Sequence, residues 1–297
     1  MNFTADSRVL VQGITEPTGA TYAPLMQTYG TQIVAGISPG HGGETHQGIP
    51  IFDMVEQALF QVGMVDTSII FLPPYLVLDA ALEAIAAGIR QIILITEGVP
   101  PLDMVRLIRK AEATETLVVG PNSAGVIVPG HILLGTHPTD FYMPGSVGLI
   151  SRSSTLTHEV AWELTRSGFG QSIAVGVGGD RVVGSSFQQW LQILEEDDQT
   201  DVIILIGGIG GDSEEVAARY IMEAIDKPVI AYIAGRSAPK DLMGYTEAII
   251  GLQLTNTHLG DAESKLAAFK QAQVLIADRP SQIPDLVKQA LTTSAIA

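Results

Sequence analysis

Residues 91–122 read "QIILITEGVPPLDMVRLIRKAEATETLVVGPN". The stretch holds a β-branched apolar run (91–98), a helical pattern (101–113) and a second apolar run (116–122). Short continuous apolar runs suit parallel strands buried on both faces. Pro101 suits the first turn of the helix between them, and Asp103 sits near its positive end. Strand, helix and strand in this order form a βαβ unit, which decides the fold class as α/β.

The same alternation extends both ways. On the N-terminal side, strand runs are expected at 8–14, 31–38 and 67–74, with helices over 53–63 and 76–89. Residues 129–146, "PGHILLGTHPTDFYMPGS", carry three prolines and three glycines without periodicity and read as a crossing segment between domains. A second α/β series follows. Its strands are expected at 147–153, 172–179, 201–211, 228–235 and 247–251, and its helices at 155–168, 185–196, 213–225, 261–272 and 281–291. The expected division is therefore 1–128, a crossing segment 129–146, and 147–297.

Composition narrows the function classes. The chain has 297 residues, 46% hydrophobic and 16% charged, enough for two well-buried cores. The net charge of −16 repels nucleic acid and anionic membranes, so neither is expected as a partner. With no cysteine, disulfides, thiolate metal sites and a Cys nucleophile are excluded. No pair of histidines has helix spacing with a carboxylate, and no metal is expected. No apolar run reaches the roughly 20 residues of a membrane span. The first residues lack the order of a signal peptide, and a cytoplasmic protein is the expectation.

In both halves the apolar runs end in glycine-bearing turns: Gly13–Gly19, Gly36–Gly43, Gly98, Gly120–Gly125, Ser151–Ser154, Gly176–Gly179 and Gly207–Gly211. A single such turn is ordinary. Seven on the carboxyl edge, where open α/β sheets bind ligands, point to a site for a small molecule. Glycines there let backbone N–H groups approach phosphate oxygens.

Eight stretches, "VQGIT", "YGTQIVAGISPGHGG", "ITEGVPPLDM", "GPNSAGV", "ISRSSTLTHE", "VGVGGD", "IGGIGG" and "YIAGRSAPK", occur in that order. Together they resemble the alpha subunit of succinyl-CoA synthetase over about residues 8–290. The resemblance implies an N-terminal CoA-binding Rossmann-like domain and a C-terminal flavodoxin-like domain. It also implies an ATP-grasp beta subunit as partner, with a homo-oligomer as the alternative. The implied reaction joins a short dicarboxylate to CoA at the expense of ATP or GTP. Phosphate is carried on a histidine of the alpha subunit.

That histidine is absent here. The family pattern Met-Gly-His meets Met243, Gly244 and Tyr245, and Glu247 adds negative charge two positions on. A phenol with a pKa of about 10 is mostly protonated near neutrality, and its phosphate ester is stable rather than reactive. The family's Gly-Glu-Ile-Gly-Gly, whose carboxylate orients the histidine, is Gly207, Gly208, Ile209, Gly210, Gly211. Among the remaining histidines, His258 in the following loop reads as a solvated residue rather than a substitute.

The implied CoA-binding residues are Gly13, Thr15, Glu16, Thr18, Gly19, Pro39, His41, Pro73, Thr96, Glu97 and Asn122. Two are altered against phosphate. Glu16 replaces a glycine and His41 replaces a lysine, while Pro17 removes an N–H donor. The implied phosphate and substrate loops are Ser151, Arg152, Ser153, Ser154 and Thr155, with Gly178, Gly179 and Asp180. Here Ser154 replaces a glycine and Arg181 a proline. Arg152 reads equally as a ligand contact or a structural ion pair, and Glu214 and Glu215 as plain solvated surface or a partner-facing helix.

Three functions follow as expectations. The first is a CoA- or nucleotide-binding, regulatory or scaffold protein that makes no phosphohistidine. The second is an active alpha subunit of an acyl-CoA ligase with altered chemistry. The third is a carbamoyl or acyl transferase on the same fold.

Overall fold

The computed structural model describes residues 3–237 and 260–294. The expected strand 247–251, Tyr245, Glu247 and His258 lie outside the described residues. Two compact units form: residues 1–137 with 182–185, and residues 138–181 with 186–297.

The first unit contains β1 (Arg8–Gln12), α1 (Pro17–Tyr29), β2 (Gln32–Ile37), β3 (Thr45–His46), β4 (Ile49–Phe52), α2 (Val55–Val62) and β5 (Thr67–Ile70). It continues with α3 (Val77–Ala86), β6 (Gln91–Leu94), α4 (Pro101–Ala113), β7 (Leu117–Val119), β8 (Gly125–Val128) and β9 (Ile132–Gly135). Its sheet runs β3-β4-β2-β1-β5-β6-β7 and is parallel except for the β3–β4 pair. The chain leaves β1 first to one side and then to the other, as in Rossmann-like sheets. The switch point therefore lies between β1 and β5.

Strand interiors are buried because Val9, Leu10, Val11, Ile69, Ile70, Ile92 and Ile93 face packed helices on both sides. Each such side chain contributes about 1.5–3 kcal/mol by leaving water. Helix α1 escapes a pattern reading because Gly19 and Pro24 sit inside it. The steric reason for Gly19 is plain. A Cβ there would lie 2.1 Å from the Gly13 carbonyl oxygen, so the helix can start against β1 only without a side chain. The stretch 129–146 carries more order than a crossing segment needs. Ile132, Leu133 and Leu134 pair antiparallel with β8, which buries all three.

The second unit contains β10 (Pro144–Ser151), α5 (Ser154–Arg166), β11 (Gln171–Gly176), α6 (Phe187–Glu195) and β12 (Val202–Gly207). It closes with α7 (Ser213–Ala224), β13 (Val229–Ile233), α8 (Ala262–Gln271), β14 (Leu275–Ala277) and α9 (Ile283–Ser294). Within this unit the order is β14-β13-β12-β10-β11. That is the flavodoxin order, with its switch point between β10 and β12. Strand β12 is buried at every position, as its unbroken "VIILIG" requires. Helix α6 opens on a reciprocal Ser186–Gln189 capping box.

Candidate functional site

The carboxyl-end turns of the first sheet are stitched to one another. Thr15 Oγ1 and Ser38 Oγ lie 2.6 Å apart and join the turns after β1 and β2. Thr96 Oγ1 donates to the Leu72 carbonyl at 2.6 Å, joining the turns after β6 and β5. The Asn122 N–H donates to the Thr96 carbonyl at 2.7 Å, bringing in the turn after β7. Asn122 has φ 54, a conformation that asparagine tolerates.

These turns enclose a groove of about 370 Å3 at the switch point, lined by Glu16, Pro17, Thr18, Phe71, Leu72, Pro73, Ile95, Thr96 and Glu97. It thus gathers Glu16, Thr18, Pro73, Thr96 and Glu97 of the expected set. Gly13 and Gly19 are not part of its lining; they pack against each other beside it, a Cβ on Gly19 coming 2.1 Å from the Gly13 carbonyl oxygen. Pro39 and His41 are exposed and are not part of its lining. Pro17, Phe71, Leu72, Pro73 and Ile95 supply its apolar lining, and Thr18 and Thr96 its uncharged polar groups. Its charged side chains are carboxylates, which do not suit phosphates.

The loop after β2 has its donors already engaged. Asp53 Oδ1 accepts from the N–H groups of Gly40 (2.7 Å) and Gly42 (3.0 Å). The His41 N–H donates to Ser38 O and the Gly43 N–H to Ile51 O. The His41 ring stands 3.2 Å from the Glu44 carboxylate. Asp53 had no signal in the sequence reading, since nothing in "IFDM" marks it as a partner for a loop 13 positions away.

In the second unit, β10 lies between β11 and β12. This puts the turns Ser151–Thr155, Gly178–Asp180 and Gly207–Gly211 at adjacent strand ends. Ser151 is fully buried. Its hydroxyl donates to the Ser153 carbonyl and accepts from the Ser153 N–H, both at 3.0 Å. Ser153 caps α5 by accepting from the Leu156 N–H. The helix therefore begins at Ser154, one residue before the expected Thr155. Its first-turn N–H groups carry the positive end of the dipole. Gly178 is buried with φ 117, and Asp180 is buried at 6% exposure.

Of the two readings of Glu214 and Glu215, that of plain solvated surface is overturned. They are 0% and 6% exposed. Lys265, itself 0% exposed on α8, reaches both: Glu214 through a short contact and Glu215 at 3.1 Å. Its Nζ also donates to the Gly211 carbonyl at 3.0 Å. Glu214 Oε1 accepts from the Gly208 N–H at 3.1 Å and from Arg152 Nη1 at 3.3 Å, and Oε2 from the Ser213 hydroxyl at 3.0 Å. Glu215 Oε1 accepts from the Ser264 hydroxyl (2.6 Å) and the Gly260 N–H (3.2 Å). Burial alone would raise the Glu214 pKa. The charges of Arg152 and Lys265, with hydrogen bonds from Lys265 and the Gly208 N–H, outweigh it and hold the carboxyl below its ordinary value. Arg152 is thus an ion-pair residue, bonded also to the Gly210 carbonyl at 3.2 Å.

Gly208 stands apart from its neighbours. Among the described residues a Cβ on it would meet nothing within 4 Å, and it is not among the glycines with positive φ. Its backbone would accept a side chain. Among the described residues no group of three or more His, Cys, Asp or Glu is arranged to hold a metal ion, and no helix is long and apolar enough to cross a membrane.

Comparison with known proteins agrees with this architecture. The CoA binding domain family matches residues 4–98, and the CoA-ligase family matches residues 150–275. The chain is 41% identical to succinate–CoA ligase (ADP-forming) subunit alpha 2 of Archaeoglobus fulgidus, covering 96% of this chain and 97% of that one. It is 43% identical to the corresponding alpha subunit of Methanothermobacter thermautotrophicus (96% and 95% covered). It is 41% identical to the malate–CoA ligase subunit alpha of Methylorubrum extorquens (97% of each). Among solved structures, the fold is shared with an ATP citrate lyase from Methanothrix soehngenii in complex with citrate and coenzyme A. The TM-score is 0.88 and the identity 23%; all of this chain is covered, but it spans only 52% of that one. The chain belongs to the family of succinate–CoA ligase alpha subunits.

Proposed function

We propose that this chain is an alpha-type subunit that binds the ligands of CoA-ligase chemistry but does not carry phosphate on a histidine. The observation that carries this reading is the end of β12. The backbone at Gly208 has room for a side chain, and the carboxylate that does reach its N–H, Glu214, is committed to Lys265 and Arg152. Glu214 is thus not left to orient an imidazole. Tyr245, at the phospho-acceptor position by resemblance, offers no nucleophilic nitrogen.

The first unit would hold CoA or a related nucleotide through its groove, and weakly, because Glu16 and Glu97 line it and the donors of Gly40 and Gly42 are taken by Asp53. The second unit would hold a carboxylate or phosphate group at the α5 N-terminus, beside Arg152 and the Gly178–Asp180 turn. A second subunit would be the partner, which the alpha-subunit names of the relatives support; the resemblance makes it an ATP-grasp beta subunit. The role would be regulatory or that of a scaffold.

Calorimetric titration with CoA tests the first half of the reading. Weak binding that tightens about tenfold in the Glu16→Gly/His41→Lys variant is the expected result, since one repelling charge is removed and one attracting charge added. No heat from either protein at millimolar CoA would contradict it. The 41–43% identity to named ligases favours a second reading, an active alpha subunit working by altered chemistry. That reading requires phosphate to reach the chain or its substrate when ATP and a beta subunit are present.

A further inference from the structure

Four ionisable side chains meet at the switch point of the second unit: Arg152, Glu214, Glu215 and Lys265. Buried charges are a poor source of stability compared with well-packed apolar side chains. Their retention at the strand ends, and not elsewhere in the core, asks for another reason. Arg152 provides it. Its three hydrogen bonds among the described residues, to Gly210 O, Ser213 Oγ and Glu214 Oε1, all run through Nη1. Its side chain is 17% exposed. Were Glu214 balanced by Arg152 alone, the pair would cancel and Arg152 would offer an anion little. Lys265 takes up the other Glu214 oxygen and one Glu215 oxygen, so the Glu214 charge is shared between two cations and offsets Arg152 only in part.

We propose that Lys265 is a positioning residue: through Glu214 it holds Arg152 at the Ser151–Thr155 turn so that the guanidinium receives one oxyanion group of the ligand, a carboxylate or a phosphate. The proposal rests on the reading of the second unit as an anion-binding domain. Lys265 touches no ligand. The residues facing it are Glu214 and Glu215 from α7 and the Gly211 carbonyl from the turn before that helix.

The test uses the full chain and inorganic phosphate as probe. Glu214→Leu with Lys265→Met removes one charge of each sign, so the remaining Arg152–Glu215 set stays neutral. Calorimetry should show phosphate affinity reduced about tenfold or more, the usual loss of one placed charged hydrogen bond. Arg152→Gln alone should cost as much, and adding it to the double variant should cost nothing further. Lys265→Arg, which keeps the cation, should restore binding more fully than it restores the melting temperature. Full phosphate affinity in the double variant, or additive losses with Arg152→Gln, overturns the proposal while leaving the anion-binding reading intact. Absence of phosphate binding by the unaltered chain overturns both. Should the double variant not fold, the isosteric Glu214→Gln serves instead: reduced affinity supports the positioning role and unchanged affinity overturns it.

Discussion

The turn after β1 and the turn after β12 are both glycine-rich, and glycine does different work in each. In the first, Gly19 has no freedom, because its Cβ would lie 2.1 Å from the Gly13 carbonyl. Gly36, on the neighbouring strand, is likewise closed in, with the Ile14 side chain 2.6 Å from where its Cβ would be. These glycines are demanded by the packing of α1 on β1. In the second, Gly207 is closed in by Glu214 at 2.6 Å, yet Gly208 faces open space. The fold does not ask for glycine at 208. On the function proposed, the absent side chain at 208 goes with the absence of histidine at 245. Electrostatics divide the two turns as well. The first groove holds carboxylates where phosphates would come, whereas the second turn buries its carboxylates against an equal number of cations.

The largest expected effect breaks the second turn. Lys265→Met leaves Glu215 buried without a cation and Glu214 with Arg152 alone. It should cost about 3–5 kcal/mol, read as a lower midpoint in chemical denaturation. Gly19→Ala breaks the first turn by steric overlap. It should cost about 1–3 kcal/mol and abolish CoA binding before it abolishes folding. Acid sharpens the contrast. Glu214 has its pKa depressed in the folded state, so the unfolded chain binds the extra proton. Its stabilisation is complete above the ordinary Glu value of about 4.3 and is lost as pH falls through the lower folded value. Denaturation at a series of acidic pH values should show this loss in the unaltered chain and not in Glu214→Leu/Lys265→Met. The smallest effect is at Gly208. Gly208→Ala should change stability by no more than about 0.5 kcal/mol, against the several times larger cost at Gly19. A large cost at Gly208 would mean that the glycine is structural after all.

Much of this was legible in the sequence because buried parallel strands write themselves as unbroken apolar runs. "VIILIG" at 202–207 reads as a strand and is one. The edge where the turns gather follows from strand polarity alone. Helix α1 was illegible because its glycine answers a contact with β1 that no local pattern records. The acidic pair Glu214–Glu215 looked solvated because its cation, Lys265, comes 51 positions after Glu214 on another helix. Asp53 was silent for the same reason: a carboxylate that clamps a distant loop has no spacing rule. Long-range polar pairing is the part of a fold that periodicity does not carry.

On the function proposed, this alpha-type chain makes no phosphohistidine. This is tested most directly by incubating the chain with γ-labelled ATP and an ATP-grasp beta subunit, then measuring acid-labile phosphate. The unaltered chain should take up none. Gly208→Glu with Tyr245→His, which the open space at 208 admits on the first side, should take up label that acid releases. Acid-labile phosphate on the unaltered chain would contradict the account and return the protein to the active ligases it resembles.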